Sequence, residues 1–219
     1  MQKDYYQNIL YPIQDKVLNI VGSLPVDFYL SGGTALSRVH LNHRFSDDLD
    51  FFLNYSKNFG KQVQSIVDSF KEKQFNFEIP VVDSGFVRLF INFDDAILKI
   101  DFINDVPYRI GVPLNTDLYK LTDTVENILS NKISALPRCE PKDIVDIVFI
   151  ANKYKLDWQF IFAETNKKDI WINPIETANI MDKFDAKLLN EIHWIGKPPD
   201  KDLFMNDLEK VIKDVLVPK

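Results

Sequence analysis

The chain predicts an α+β fold, a mixed sheet flanked by helices and then an all-helical lobe, and three observations predict it. Short apolar-alternating segments joined by hairpin-type turns crowd residues 75–103. Two further short strands, each next to a helical stretch, precede them. From residue 116 onward strand signals fade and apolar residues recur at helical spacing. The change of pattern near residues 110–120 divides the chain into lobes at 1–115 and 116–219.

The elements follow in order. Ile9, Ile13, Val17, Ile20, Val21 and Leu24 recur at helical spacing, with Pro12 at a first-turn position. Residues 26–30 form a short buried strand, Gly32-Gly33 breaks it, and 34–41 is helical. Leu49, Phe51 and Leu53 alternate with Asp48, Asp50 and Phe52, so a second strand carries both aspartates on one face, with Asp47 pointing elsewhere. A helix over 57–73 buries Val63, Ile66, Val67 and Phe70. Strands at 75–82, 85–93 and 96–103 are separated by Asp83-Ser84-Gly85 and Asn92-Phe93-Asp94-Asp95, both with hairpin-turn chemistry. Helices follow at 124–136, 141–152, 158–165, 176–189 and 203–216.

With 219 residues the chain can bury a real core, and 17 phenylalanines favour packing between sheet and helices. No apolar run approaches the roughly 18 residues that span a bilayer, and no signal pattern opens the chain. The single cysteine, Cys139, excludes an internal disulfide framework and fits a reducing cytoplasm. A net charge of −6 argues against a general nucleic-acid coating protein, though not against a local basic groove.

Chemistry concentrates in Ser31-Gly32-Gly33-Thr34 and Ser46-Asp47-Asp48-Leu49-Asp50. Glycines at a strand-to-helix turn let backbone approach a phosphate, the helix N-terminus adds its positive dipole end, and the Thr34 hydroxyl can donate to the same phosphate. Asp48 and Asp50, about 6–7 Å apart along a strand, offer hard oxygens to a divalent cation. Asp101 lies on an otherwise apolar strand and is the third carboxylate of the set. The combination suits a nucleoside triphosphate with its metal ions.

Those residues resemble a known family. Gly32-Gly33-Thr34-Ala35-Leu36, then His43-Arg44 through Asp48-Leu49-Asp50-Phe51-Phe52, is similar to the AbiEii/AbiGii toxins of the DNA polymerase β-like nucleotidyltransferase superfamily. The resemblance continues in Lys132-Ile133-Ser134-Ala135-Leu136, Arg138 and Lys142-Asp143-Ile144-Val145-Asp146, and covers roughly residues 26–152. It implies a nucleotidyltransferase-like fold and the transfer of an NMP from an NTP to an acceptor hydroxyl. Asp48, Asp50 and Asp101 are implied to hold Mg2+ (or Mn2+), and Gly32, Gly33 and Thr34 the triphosphate. Lys132 and Asp146 are implied in catalysis, with Lys132 and Arg138 on the nucleotide. The implied partners are an RNA or tRNA acceptor and a cognate antitoxin, in toxin–antitoxin or phage-abortive systems.

For the remaining candidates the structural role is expected. Arg44 pairs with Asp47 and Ser46 bonds nearby backbone, while Lys142 pairs with Asp146 along its helix. His40 and His43 have zinc-compatible spacing without cysteine partners, which favours a turn-stabilising role. Trp158, Trp171 and Trp194 are expected in the core. Two other functions stay open on the residues alone: transfer to a small acceptor of the aminoglycoside kind, mildly favoured by the net acidity, and a non-catalytic nucleotide-binding or interaction module.

Overall fold

The computed structural model describes residues 2–217. A helix over residues 2–23 (α1) opens the chain. Its turns widen to π-helical geometry over Tyr6–Leu10. Pro12 therefore sits inside a continuous helix rather than in its first turn. The wide turns lie just before the ring, where a proline lacks the N–H for a regular turn and crowds the preceding one.

Strand β1 (Tyr29–Ser31) is shorter than expected and runs into a helical stretch, 32–41 (α2). Then come β2 (Leu49–Asn54), α3 (Phe59–Glu72), β3 (Asn76–Val82), β4 (Phe86–Phe93) and β5 (Ala96–Asp105). The five strands make one sheet in the order β1-β2-β5-β4-β3. Only β2 and β5 are parallel; the other pairings are antiparallel, so the sheet is mixed. β1 gains a partner on its outer side that the sequence pattern does not show: Leu30 N–H donates to Leu121 O, and Asp123 N–H to Leu30 O.

The helical part comprises α4 (Val125–Ala135), α5 (Pro141–Lys153), α6 (Trp158–Thr165), α7 (Pro174–Asp182) and α8 (Lys201–Leu216). Caps fix several starts: Thr124, Asp157, Asn173 and Asp200 each accept from a backbone N–H in the first turn. Asn173 and Pro174 start α7 two residues earlier than periodicity suggests. The helix stops at Asp182, and Asp185 caps a separate 3-10 turn, Ala186–Glu191. One long helix over 176–189 is thus replaced by two short ones.

One apolar core joins sheet and helices. Phe28, Phe51 and Phe102 form its centre, with ring centroids 5.2–6.4 Å apart. Such pairs add about 0.5–1.5 kcal/mol each beyond their buried area. Period-2 alternation along β2 sends Leu49, Phe51 and Leu53 into this core and leaves Asp50 and Phe52 on the other face. Among the described residues no helix is long and apolar enough to cross a membrane.

Candidate nucleotide site

The polar face of the sheet opens on a cleft of about 620 Å³ between β2, β4 and β5 on one side and α4 and the start of α5 on the other. Its sheet wall is acidic. The parallel register sets Asp50 directly beside Asp101, and Asp48 lies two residues ahead of Asp50. All three line the cleft. Asp48 receives Lys99 Nζ at 2.6 Å, and Asp101 a two-pronged contact from Arg88 at 2.7 and 2.8 Å. Asp50 has no hydrogen bond or ion pair among the described residues. Burial, then the charges of Asp48 and Asp101, push its carboxyl up to about 6.

Gly32 and Gly33 make this arrangement possible. Gly32 has φ +66°, and a Cβ there would overlap the Asp50 carboxylate. At Gly33 a Cβ would lie 2.8 Å from Ser46 Oγ and 2.9 Å from Arg44 Nη2. Both glycines line the cleft, as does Ser46. Thr34 does not. It is fully buried, and its hydroxyl donates to the Asp48 carbonyl, so the expectation that it faces a phosphate is corrected. Its observed bond ties the glycine turn to the chain entering β2.

The helical wall is basic and rests on two buried carboxylates. Asp146 accepts from Arg44 Nε and Nη2, both at 2.7 Å, from Lys132 Nζ at 2.7 Å, and pairs with His43 Nε2 at 2.9 Å. These partners overcome burial and hold the Asp146 carboxyl well below the usual range. Asp143 accepts from Lys132 Nζ at 2.7 Å and from Arg138 at 2.7 and 2.9 Å. Lys132 bridges the two acids, which leaves one of its three N–H groups uncommitted. Lys132, Arg138, Arg44 and Lys142 line the cleft, whereas Asp146 is fully enclosed behind it.

Asp146 is therefore placed to hold Arg44 and Lys132 rather than to meet a substrate, which corrects its expected catalytic contact. Arg44 pairs with Asp146, not with Asp47, whose carboxylate accepts from the Tyr6 hydroxyl. Nor does Lys142 pair with Asp146; burial turns that acid inward, away from its own helix surface. His40 and His43 diverge, one ring to the Asp123 carbonyl and the other to Asp146. Trp158 is in the core and Trp194 is partly buried, but Trp171 is 82% exposed.

Three residues of the cleft escaped the sequence. Arg88 could have been found, because the Asn92–Asp95 hairpin carries a register that sets 88 opposite 101. Lys99 shares Asp101's face, yet nothing local shows that it reaches Asp48. Lys168 comes from the turn after α6 and bonds the Asn131 and Asn127 amide oxygens across the lobe, which no spacing reveals.

The donor set fits a hard divalent cation. It is all oxygen, and an unpaired, half-buried carboxylate sits beside two others. Among the described residues no three such side chains are already drawn into metal-holding positions, because Lys99 and Arg88 occupy Asp48 and Asp101. On the sheet wall the carboxylates of Asp48, Asp50, Asp101 and Asp105 face two cations, Arg88 and Lys99. The helical wall sets Arg44, Lys132 and Arg138 against Asp143 and Asp146. The cleft is thus polarised, acidic on one side and basic on the other.

The fold and sequence have relatives. The chain is 31% identical over 168 residues to an uncharacterized protein of Aquifex aeolicus (strain VF5), covering 71% of this chain and 73% of that one. A candidate nucleotidyltransferase from Helicobacter pylori matches with a TM-score of 0.59 and 21% identity, covering 93% of each chain. JHP933 from Helicobacter pylori matches with a TM-score of 0.57 and 19% identity, over 94% of this chain and 90% of that one. At that identity the likeness establishes the fold alone, a nucleotidyltransferase-like mixed sheet with helices. Residues 21–208 match the model of the nucleotidyl transferase AbiEii toxins of type IV toxin–antitoxin systems, and the chain belongs to that family.

Proposed function

We propose that this protein is a magnesium-dependent nucleotidyltransferase that moves an NMP from an NTP to an acceptor hydroxyl, with RNA, such as the 3′ end of a tRNA, as the acceptor. The observation that carries it is the strand register that sets Asp50 beside Asp101 and faces them with Lys132 and Arg138 across one cleft. A polyphosphate and its counter-ions need that division of charge.

In this reading Asp48, Asp50 and Asp101 hold the cations, with Mn2+ a chemical substitute for Mg2+. When bound, the cations would neutralise phosphate charge and favour the deprotonated acceptor hydroxyl. Gly32 and Gly33 let the triphosphate approach the backbone, while Lys132 and Arg138 meet its charge from the helical wall. Asp101 orients the acceptor and takes its proton. The acceptor oxygen forms the bond to the α-phosphorus, the bond from that phosphorus to the bridging oxygen breaks, and pyrophosphate leaves. Holding these groups in line supplies much of the acceleration.

The proposed setting is a cytoplasmic toxin restrained by a cognate antitoxin, in toxin–antitoxin or abortive-infection defence, and membership of a type IV toxin–antitoxin family supports the toxin–antitoxin part of it. Incubating the full chain with each labelled NTP, Mg2+ and either total RNA or aminoglycosides tests the acceptor. Label in RNA with release of pyrophosphate is expected. Label on aminoglycosides alone would overturn the RNA assignment, and no pyrophosphate with any acceptor would overturn transfer itself.

A further inference from the structure

The turn joining α6 to α7, residues 166–173, borders the cleft and is not used by the chemistry above. Lys168 and Asp169 line the cleft, while Ile172 returns to the core. Between those anchored ends Ile170 and Trp171 stand 78% and 82% exposed. The placement is held: Asp169 N–H donates to Thr165 O, Ile172 N–H to Asp169 O, and Trp171 N–H to the Asp169 carboxylate at 3.1 Å. A large aromatic is thus presented to solvent on a well-braced turn whose first residues line a cleft.

One cation beside it lacks a carboxylate contact: Lys168 bonds only amide oxygens, of Asn131 and Asn127, and no carboxylate among the described residues. Burial lowers its ammonium from the ordinary value despite the charges of Asp105 and Asp123, and a further anion in contact with it would raise it again. Lys142, on the same wall of the cleft, likewise has no ion pair among the described residues. Within the turn, Lys167 Nζ pairs with Glu164 at 2.6 Å and lies 5.0 Å over the Tyr108 ring, just beyond the end of β5. A cation without a carboxylate partner at the cleft, a few residues from an exposed aromatic, suits a flexible single strand of nucleic acid: phosphate charge for the first, a base face for the second.

We infer that this turn is the acceptor subsite, where Trp171 stacks on an unpaired base near the 3′ end of a single-stranded RNA and Lys168 meets an adjacent phosphate. The inference rests on the RNA-acceptor reading and adds to it the element that holds the strand. A protein partner would be matched instead by a broad apolar face, whereas here only two exposed apolar residues follow directly on Lys168 and Asp169, which line the cleft.

The test uses the full chain and a short single-stranded oligoribonucleotide with a free 3′ hydroxyl, titrated without NTP. Trp158 and Trp194 are enclosed or partly so, which makes Trp171 the tryptophan most open to contact quenching. Trp171 emission should be quenched on binding, and Trp171→Ala should weaken binding about ten-fold or more. Trp171→Phe should recover most of the affinity, while affinity for a non-hydrolysable NTP stays unchanged in both variants. Oligoribonucleotide affinity unchanged in Trp171→Ala, whether or not a protein partner is lost, would overturn the subsite. Binding is read apart from transfer, so quenching without any RNA labelling would refute the transfer reading, and labelling that survives Trp171→Ala at wild-type KM for RNA would refute the subsite.

Discussion

Asp50 combines burial with two neighbouring carboxylates, and its protonation should be visible in stability. Its folded pKa, about 6, is raised above the unfolded value near 3.8. The folded protein therefore binds more protons between those values, and stability falls as pH rises from about 4 to about 6. Asp50→Asn should remove that loss, becoming up to about 3 kcal/mol more stable than wild type at pH 7 in chelator, with the difference gone below about pH 4. Urea unfolding across pH 4–8 checks it; identical pH profiles would contradict the account. Gly32 makes a second prediction at this scale. Its φ of +66° and the carboxylate against it mean that Gly32→Ala should cost at least about 1 kcal/mol and displace Asp50, measured by thermal unfolding.

At the scale of elements, the packing of α5 against α4 and against the segment that follows α2 depends on charges hidden between them. On a solvated helix Asp143 and Asp146 would be ordinary acids of the first and second turns. Here both are fully enclosed and tie Lys132, Arg138 and Arg44 into one assembly. Removing one partner leaves uncompensated charge, so Asp146→Ala should lose about 3–5 kcal/mol, against a much smaller loss for replacements of exposed acids such as Asp68. A denaturant midpoint close to wild type would show that Asp146 does not organise this wall. Sequence periodicity located these helices well, because apolar stripes such as Ile144, Val145 and Val148 state their own burial. It could not reveal what faces Asp146, since Arg44 lies 102 residues earlier. For the same reason the break after Asp182 was hidden: apolar spacing runs through it, and only the Asp185 cap marks a new turn.

Across the whole molecule, the two walls meet because β2 and β5 are parallel neighbours while α4 and α5 cover the opposite side of the cleft. The D-x-D alternation and the lone strand aspartate made the acidic wall legible, since strand period fixes which side chains share a face. The basic wall was only partly legible: Lys132 and Arg138 were identifiable through resemblance, whereas Lys168 comes from a turn with no periodic signal. The polarity of the cleft predicts coupled binding. Mg2+ and NTP together should raise Tm more than the sum of their separate effects, and Asp50→Asn should blunt that coupling. Additive shifts in wild type would argue that metal and triphosphate occupy independent places. The most direct measurement is transfer itself, with labelled NTP, Mg2+ and total RNA, in wild type, Asp48→Ala and Asp101→Ala, each first shown to be folded by circular dichroism. RNA labelled by wild type and by neither variant is the result expected, whereas wild-type rates in both variants would contradict the assignment of the cleft as the site of nucleotidyl transfer.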